Sequence, residues 1–160
     1  VSESIVANPL EFQRRLDQSY DRFEKKWRLR MQRLMKAAMI RLIRRTPVHT
    51  GQAVRSYVAS AGSAYSGAAG SKPNPVEPTN KLALGAEALR GGAEAVAMGT
   101  LASVDYSDPF NVFWITNTAP HIGGLEAGEL PRSPLTPRSP QGMFAVTLQE
   151  LLTFLDSDKL

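Results

Sequence analysis

The sequence predicts an α+β fold, with a long N-terminal helix and a C-terminal helix packed on a small β-sheet and long Gly/Ala/Ser-rich and Pro-rich loops between them. Three observations lead there. Apolar residues recur at steps of three or four from Phe12 to Leu42, a β-branched and aromatic run (Asn-Val-Phe-Trp-Ile-Thr) occupies 111–116, and a second helical stripe closes the chain at 143–155. The 160 residues show no internal repeat and no second composition block, so a single domain over 1–160 is expected.

The first element is the clearest. Phe12, Leu16, Tyr20, Phe23, Trp27, Met31, Leu34, Ala38 and Leu42 form one stripe, with Arg and Lys on the other faces. Pro9 suits a first-turn position, and Glu11 and Asp17 lie toward the positive end of the helix dipole. Arg41, Arg44 and Arg45 lie toward its negative end, and Pro47 biases Thr46 away from helical backbone. Such a helix is about 50 Å long at 1.5 Å per residue. That exceeds what a compact domain of this size needs, so part of it is expected to pack against another subunit.

The turn Thr46-Pro47-Val48-His49-Thr50-Gly51 follows, and 54–61 reads as a strand with room for a helical turn at its start. From 60 to 80 the chain is Ala, Gly, Ser and Pro with almost no large apolar residue, which reads as a flexible loop. Residues 81–98 are Ala-rich, with Leu82, Leu89 and Val96, and read as a helix weakened by Gly91 and Gly92. The strand at 111–116 is expected to pair with the one near 54–61, with Trp114 or Phe113 buried beneath the helices. A Pro/Gly-punctuated excursion follows, including a Pro-rich arm at 129–140. The closing helix is expected to bury Phe144, Leu148, Leu151, Leu152 and Leu155.

Composition narrows the function. Cysteine is absent, which removes disulfides, thiol nucleophiles and thiolate metal sites. His49 and His121 are the two histidines, with no metal-ligand spacing, so neither a metal nor a cofactor is expected. No apolar run is long enough to span a membrane, and the first residues lack the layout of a secretion signal. The sequence carries no nucleophile elbow, phosphate-binding loop, zinc-protease or dinucleotide motif. The carboxylates of Leu125-Glu126-Ala127-Gly128-Glu129 read as a charged turn rather than an acid/base pair. The chain is therefore not expected to be an enzyme.

Charge is unevenly placed. Residues 8–45 carry twelve Lys/Arg against four Asp/Glu, a balance of +8, and the remainder carries seven against eleven, a balance of −4. That polarity suits contacts between copies in a ring and equally suits the lining of a passage for DNA.

Thr46-Pro47-Val48-His49-Thr50-Gly51, followed by Arg55-Ser56-Tyr57, resembles the "TPVDTG, then Arg-x-Ser-aromatic" signature of neck and tail-completion proteins of long-tailed bacteriophages. Ile115-Thr116-Asn117-Thr118-Ala119-Pro120-His121-Ile122, then Leu125-Glu126-Ala127-Gly128, then Pro140-Gln141-Gly142-Met143, resembles that family's second signature: a strand ending in Asn, a Pro-Tyr turn, a Leu-Glu-x-Gly turn, and Pro-x-Gly-Met opening the last helix. Order and rough spacing match over about 10–155. His49 stands where the family has Asp, His121 where it has Tyr, and the segment from 129 to 140 is longer than the family's link.

The resemblance implies a structural virion subunit. It would form a ring, commonly of six copies, at the head-proximal end of the tail, end the growth of the tail tube and join it to the head connector. Its partners would be itself, the tail tube protein and the connector or stopper proteins, with a passing contact to genomic DNA and none to a membrane. It would be assembled in the host cytoplasm and reside in the virion. On this reading the contact residues are Arg28, Arg33 and Arg44 of the long helix, Pro47, His49 and Gly51 of the first turn, and Asn117, Pro120, His121, Leu125, Glu126, Gly128, Pro140, Gly142 and Met143 of the later turns. Segment 120–128 is expected to be a rigid turn from which Glu126 can pair with the next subunit. Two alternatives stay open: a basic DNA-binding protein using the +8 helix on phosphates, and another neck component such as a head–tail stopper.

Overall fold

The computed structural model describes residues 8–48, 51–67, 82–130, 139 and 141–156. His49, Pro140, the loop from 68 to 80 and the arm from 131 to 138 lie outside the described residues. Six elements follow in order: α1 (Pro9–Arg45), β1 (Tyr57–Ala61), α2 (Leu82–Ala102), β2 (Phe113–Asn117), α3 (Ile122–Glu126) and α4 (Phe144–Asp156). The architecture is α+β, with long terminal helices about a two-stranded antiparallel sheet.

Helix α1 begins where Asn8 accepts a hydrogen bond from the Glu11 N–H at 3.3 Å and Pro9 supplies its preset φ. It ends at Thr46, whose N–H and hydroxyl both donate to the Leu42 carbonyl, at 3.0 and 2.7 Å. Pro47 then closes off any further turn. The last turns of α1 enter the core through Met35, Ala38, Met39, Leu42 and Ile43. Against them α2 lays Ala93, Ala97 and Leu101, spaced by four. These residues form its buried stripe, and Val96 is exposed. Helix α2 also runs through Gly91 and Gly92 without a break.

The strands pair in the register Tyr57↔Asn117, Ala59↔Ile115 and Ala61↔Phe113. Alternation fixes which side chains reach the helices. Tyr57, Ala59, Ile115 and Phe113 pack into or against the core, and Phe113 stacks on Tyr106 with ring centroids 5.1 Å apart. Trp114, one position out of phase, lies on the outer face and is exposed, so of the two expected aromatics Phe113 takes the inner place. The expected rigid turn at 120–128 contains the short helix α3, closed by Gly128 at φ 71°. Helix α4 turns Thr147 inward, while Leu148 and Leu152, expected in its buried stripe, are exposed. Its polar side meets α1, where Glu150 takes both Arg41 (3.1 Å) and Arg45.

Candidate interaction surface

The residues singled out in the sequence separate into two groups, a tightly built junction at one end of the sheet and three arginines along α1. The junction starts at Thr46. Because its hydroxyl donates to Leu42, the Tyr57 hydroxyl, 2.8 Å away, donates to Thr46. Burial pushes the Tyr57 phenol up to about 12, overriding its side-chain hydrogen bonds to Thr46 and Asn117. Asn117 donates from Nδ2 to the Ala53 carbonyl at 2.8 Å and accepts the Ala119 N–H at 2.9 Å. The end of β2 is thereby tied to the turn that opens at Gly51. Ser56 extends this tie: its hydroxyl donates to Gln52, and its carbonyl accepts the Thr118 N–H at 3.1 Å. Pro47 and Gly51 are buried beside these bonds, and Gly51 holds a φ of 75°.

Glu126 provides the second half of the junction. Its Oε2 accepts the N–H groups of Met143 (2.7 Å) and Phe144 (2.9 Å), and its Oε1 accepts that of Ala145 (3.0 Å). The carboxylate thus caps the first turn of α4, satisfying donors that have no partner inside the helix and placing a negative charge at the positive end of its dipole. Burial works to raise its pKa, and the three backbone donors outweigh that, so the carboxyl sits below its ordinary range. Gly142 makes the approach possible, with φ 78° and a position where an added Cβ would stand 2.8 Å from the Glu126 carboxyl carbon. Leu125 and Met143 fill the core beneath, and the Phe144 ring lies 5.9 Å from that of Tyr57. The Leu-Glu-x-Gly and Gly-Met motifs therefore meet each other within one chain, and Glu126 spends both oxygens there. Pro120 is exposed and His121 half-buried at the start of α3, where the His121 side chain makes no capping bond.

The three arginines lie elsewhere. Arg44 pairs with Glu94 of α2 at 3.3 Å across a shallow depression of about 400 Å³ lined by Arg44, Arg90, Gly91 and Glu94. Arg28 pairs with Glu24 one turn back at 2.7 Å, and Arg33 is exposed. Arg28 and Arg33 sit on the part of α1 that precedes Met35. There Leu10 is 82% exposed, and Phe12, Leu16, Tyr20 and Phe23 are each more than half exposed. These four are the N-terminal half of the stripe recognised in the sequence, and none of them belongs to the turn motifs. The signal for them was helix length: about 39 Å of helix at 1.5 Å per residue precedes Met35.

Among the described residues no group of three His, Asp or Glu side chains is placed to hold a metal ion, and no helix is long and apolar enough to cross a membrane. The chain matches no protein-family model, no curated protein and no solved structure.

Proposed function

We propose that this chain is a structural subunit of a long-tailed phage neck, assembling into a ring that ends the tail tube and offers the head connector its docking surface, and that it is not an enzyme. The observation that carries this reading is the uncovered apolar stripe of α1. Four large side chains in a row, each more than half exposed on a projecting helix, are what an assembling subunit presents before its neighbours arrive. Fully burying such a side chain is worth about 1.5–3 kcal/mol, so covering Phe12, Leu16, Tyr20 and Phe23 is a substantial driving force for assembly. Lys26 and Arg30 lie beside the stripe by helical angle, matching a neighbour drawn from the acidic remainder of another copy. The rigid junction complements this arrangement, because Glu126, Gly142 and Asn117 fix the body from which the helix projects.

A second reading, in which the helix grips duplex DNA, rests on the exposure of Lys25, Lys26, Arg28 and Arg33. Electron microscopy of the purified chain mixed with phage tail tubes, alongside duplex binding over a salt series, separates the two. Rings capping the tube ends and weak DNA binding support the neck subunit. Bare tubes together with tight binding that falls steeply with salt would favour the DNA reading and remove this one.

A further inference from the structure

The two edges of the sheet are treated differently. The Thr118 N–H donates to Ser56 and the Gly62 N–H donates to Val112, at 3.1 and 2.8 Å. With the register Val58↔Thr116 and Ser60↔Trp114, the even-numbered residues therefore form the hydrogen-bonded pairs of the ladder. The odd-numbered residues direct their backbone N–H and C=O groups outward. On β1 helix α2 packs along that edge, and the Ala59 N–H donates to its Thr100 Oγ1 at 3.2 Å. On β2 the outward groups of Phe113 and Ile115 have no hydrogen-bond partner among the described residues.

Edge strands of stable monomers are normally guarded by charge, proline, a bulge or a covering element. None of the first two occurs in Asn-Val-Phe-Trp-Ile-Thr-Asn-Thr at 111–118. The surface beside the edge is apolar as well: Phe110 is 88% exposed, Val112 56% and Trp114 41%. We infer that the open edge of β2 is a strand-docking site, occupied by β2 of a second copy in a two-fold antiparallel pair that makes one four-stranded sheet.

The edge is self-complementary about Ile115. With Ile115 opposite itself, Phe113 meets Asn117 of the other copy and every outward donor faces an outward acceptor. On the outer face Trp114 stands against Thr116 and Val112 against Thr118. A head-to-tail continuation of the same sheet is closed off, because α2 and Thr100 occupy the β1 edge. Stable interfaces bury roughly 800 Å² per partner. Phe110 and Trp114 together contribute on the order of 300 Å² of exposed aromatic surface, so a five-residue strand with these flanks falls short of that figure. The pair is accordingly a concentration-dependent contact, using a surface separate from the α1 stripe and independent of the ring.

The chain has no cysteine of its own, which makes a clean test. A Val112→Cys/Thr118→Cys chain cannot link these positions internally, because they lie at opposite ends of one extended strand, but the two-fold pair places each opposite its partner. Mild oxidation should yield a covalent dimer of twice 17.5 kDa, and adding Trp114→Lys should lower the linked fraction by about tenfold. Repeating the test with Leu16→Asp/Phe23→Asp, which disables the α1 stripe, should leave the link intact, so failure of the ring and failure of the strand pair are read separately. Absence of the covalent dimer, or a dimer indifferent to Trp114→Lys, overturns the strand pair. As a check free of cysteine, the Trp114→Lys chain should remain monomeric in the Leu16→Asp/Phe23→Asp background at concentrations where that background alone dimerises.

Discussion

From residue 35 to 45, α1 buries Met35, Ala38, Met39, Leu42 and Ile43 against α2, the sheet and α4, and Met31 still packs on that core; from 9 to 26, similar spacing sets Phe12, Leu16, Tyr20 and Phe23 in the open. The two stretches share one helix and similar residue types, and differ in what stands opposite. The inner stretch is held by tertiary packing, with Arg41 and Arg45 on Glu150 and Arg41 over the Phe154 ring at 4.7 Å. The outer stretch is held by propagation from it, by the Asn8 cap, and by pairs one turn apart, Glu11–Arg15 and Glu24–Arg28. Such pairs contribute about 0.2–0.5 kcal/mol each, far less than burial. What the outer stretch lacks in tertiary contact is available for an intermolecular one.

The sharpest way to break that contrast is to truncate matching positions. Met39→Ala, at a fully buried site, should cost about 2–5 kcal/mol in chemical denaturation. Leu16→Ala should change the stability of the isolated chain by no more than about 0.5 kcal/mol. A large loss at Leu16 in a chain shown to be monomeric would mean that the outer stripe is covered from within.

The junction that anchors the inner stretch should come next in size. Glu126→Gln removes the charged cap of α4 and should cost about 0.5–2 kcal/mol. Gly142→Ala should be at least as damaging, since it opposes a positive φ and crowds the same carboxylate. The pH dependence has a definite sign. The Glu126 carboxyl is held below its ordinary value of 4.5, so its contribution is complete above that pH and is lost as the pH falls through the depressed value. Acid unfolding of the wild type should steepen below about pH 4.5, and Glu126→Gln should flatten that limb.

Tyr57→Phe is the smaller test, with an expected cost of about 1 kcal/mol for one lost buried hydrogen bond. With the phenol raised from 10.0 to about 12, its contribution is complete below pH 10 and lost as the pH approaches 12. Absorbance titration should find one tyrosine ionising that high in the wild type and not in Tyr57→Phe.

Much of the fold was legible because local chemistry dictates it. Pro9 and Pro47 bracket α1, and the β-branched run marks β2. The sequence placed the turns but not their partners. Glu126 caps a helix 17 to 19 residues away, a distance no capping-box pattern covers. Period two says that Phe113 and Trp114 face opposite ways without saying which faces the core, and packing on Tyr106 decides it. In α2 the eye goes to Val96, yet close approach to α1 selects alanine. The α1 stripe was read in part: Ala38 and Leu42 are buried as it implies, while Met35, Met39 and Ile43, which it passes over, complete the core face, because periodicity reports an apolar face and is silent on what covers it.

The most direct measurement is therefore the solution mass of the wild type beside Leu16→Asp/Phe23→Asp, by light scattering, alone and after mixing with tail tubes. The wild type should form closed multiples of the 17.5 kDa chain, or convert to them on the tubes, while the double variant, equally stable as a folded chain, should stop at dimer and leave the tubes bare. Equal masses for the two proteins, and equal indifference to tail tubes, would contradict the assembly role assigned to the outer stretch of α1.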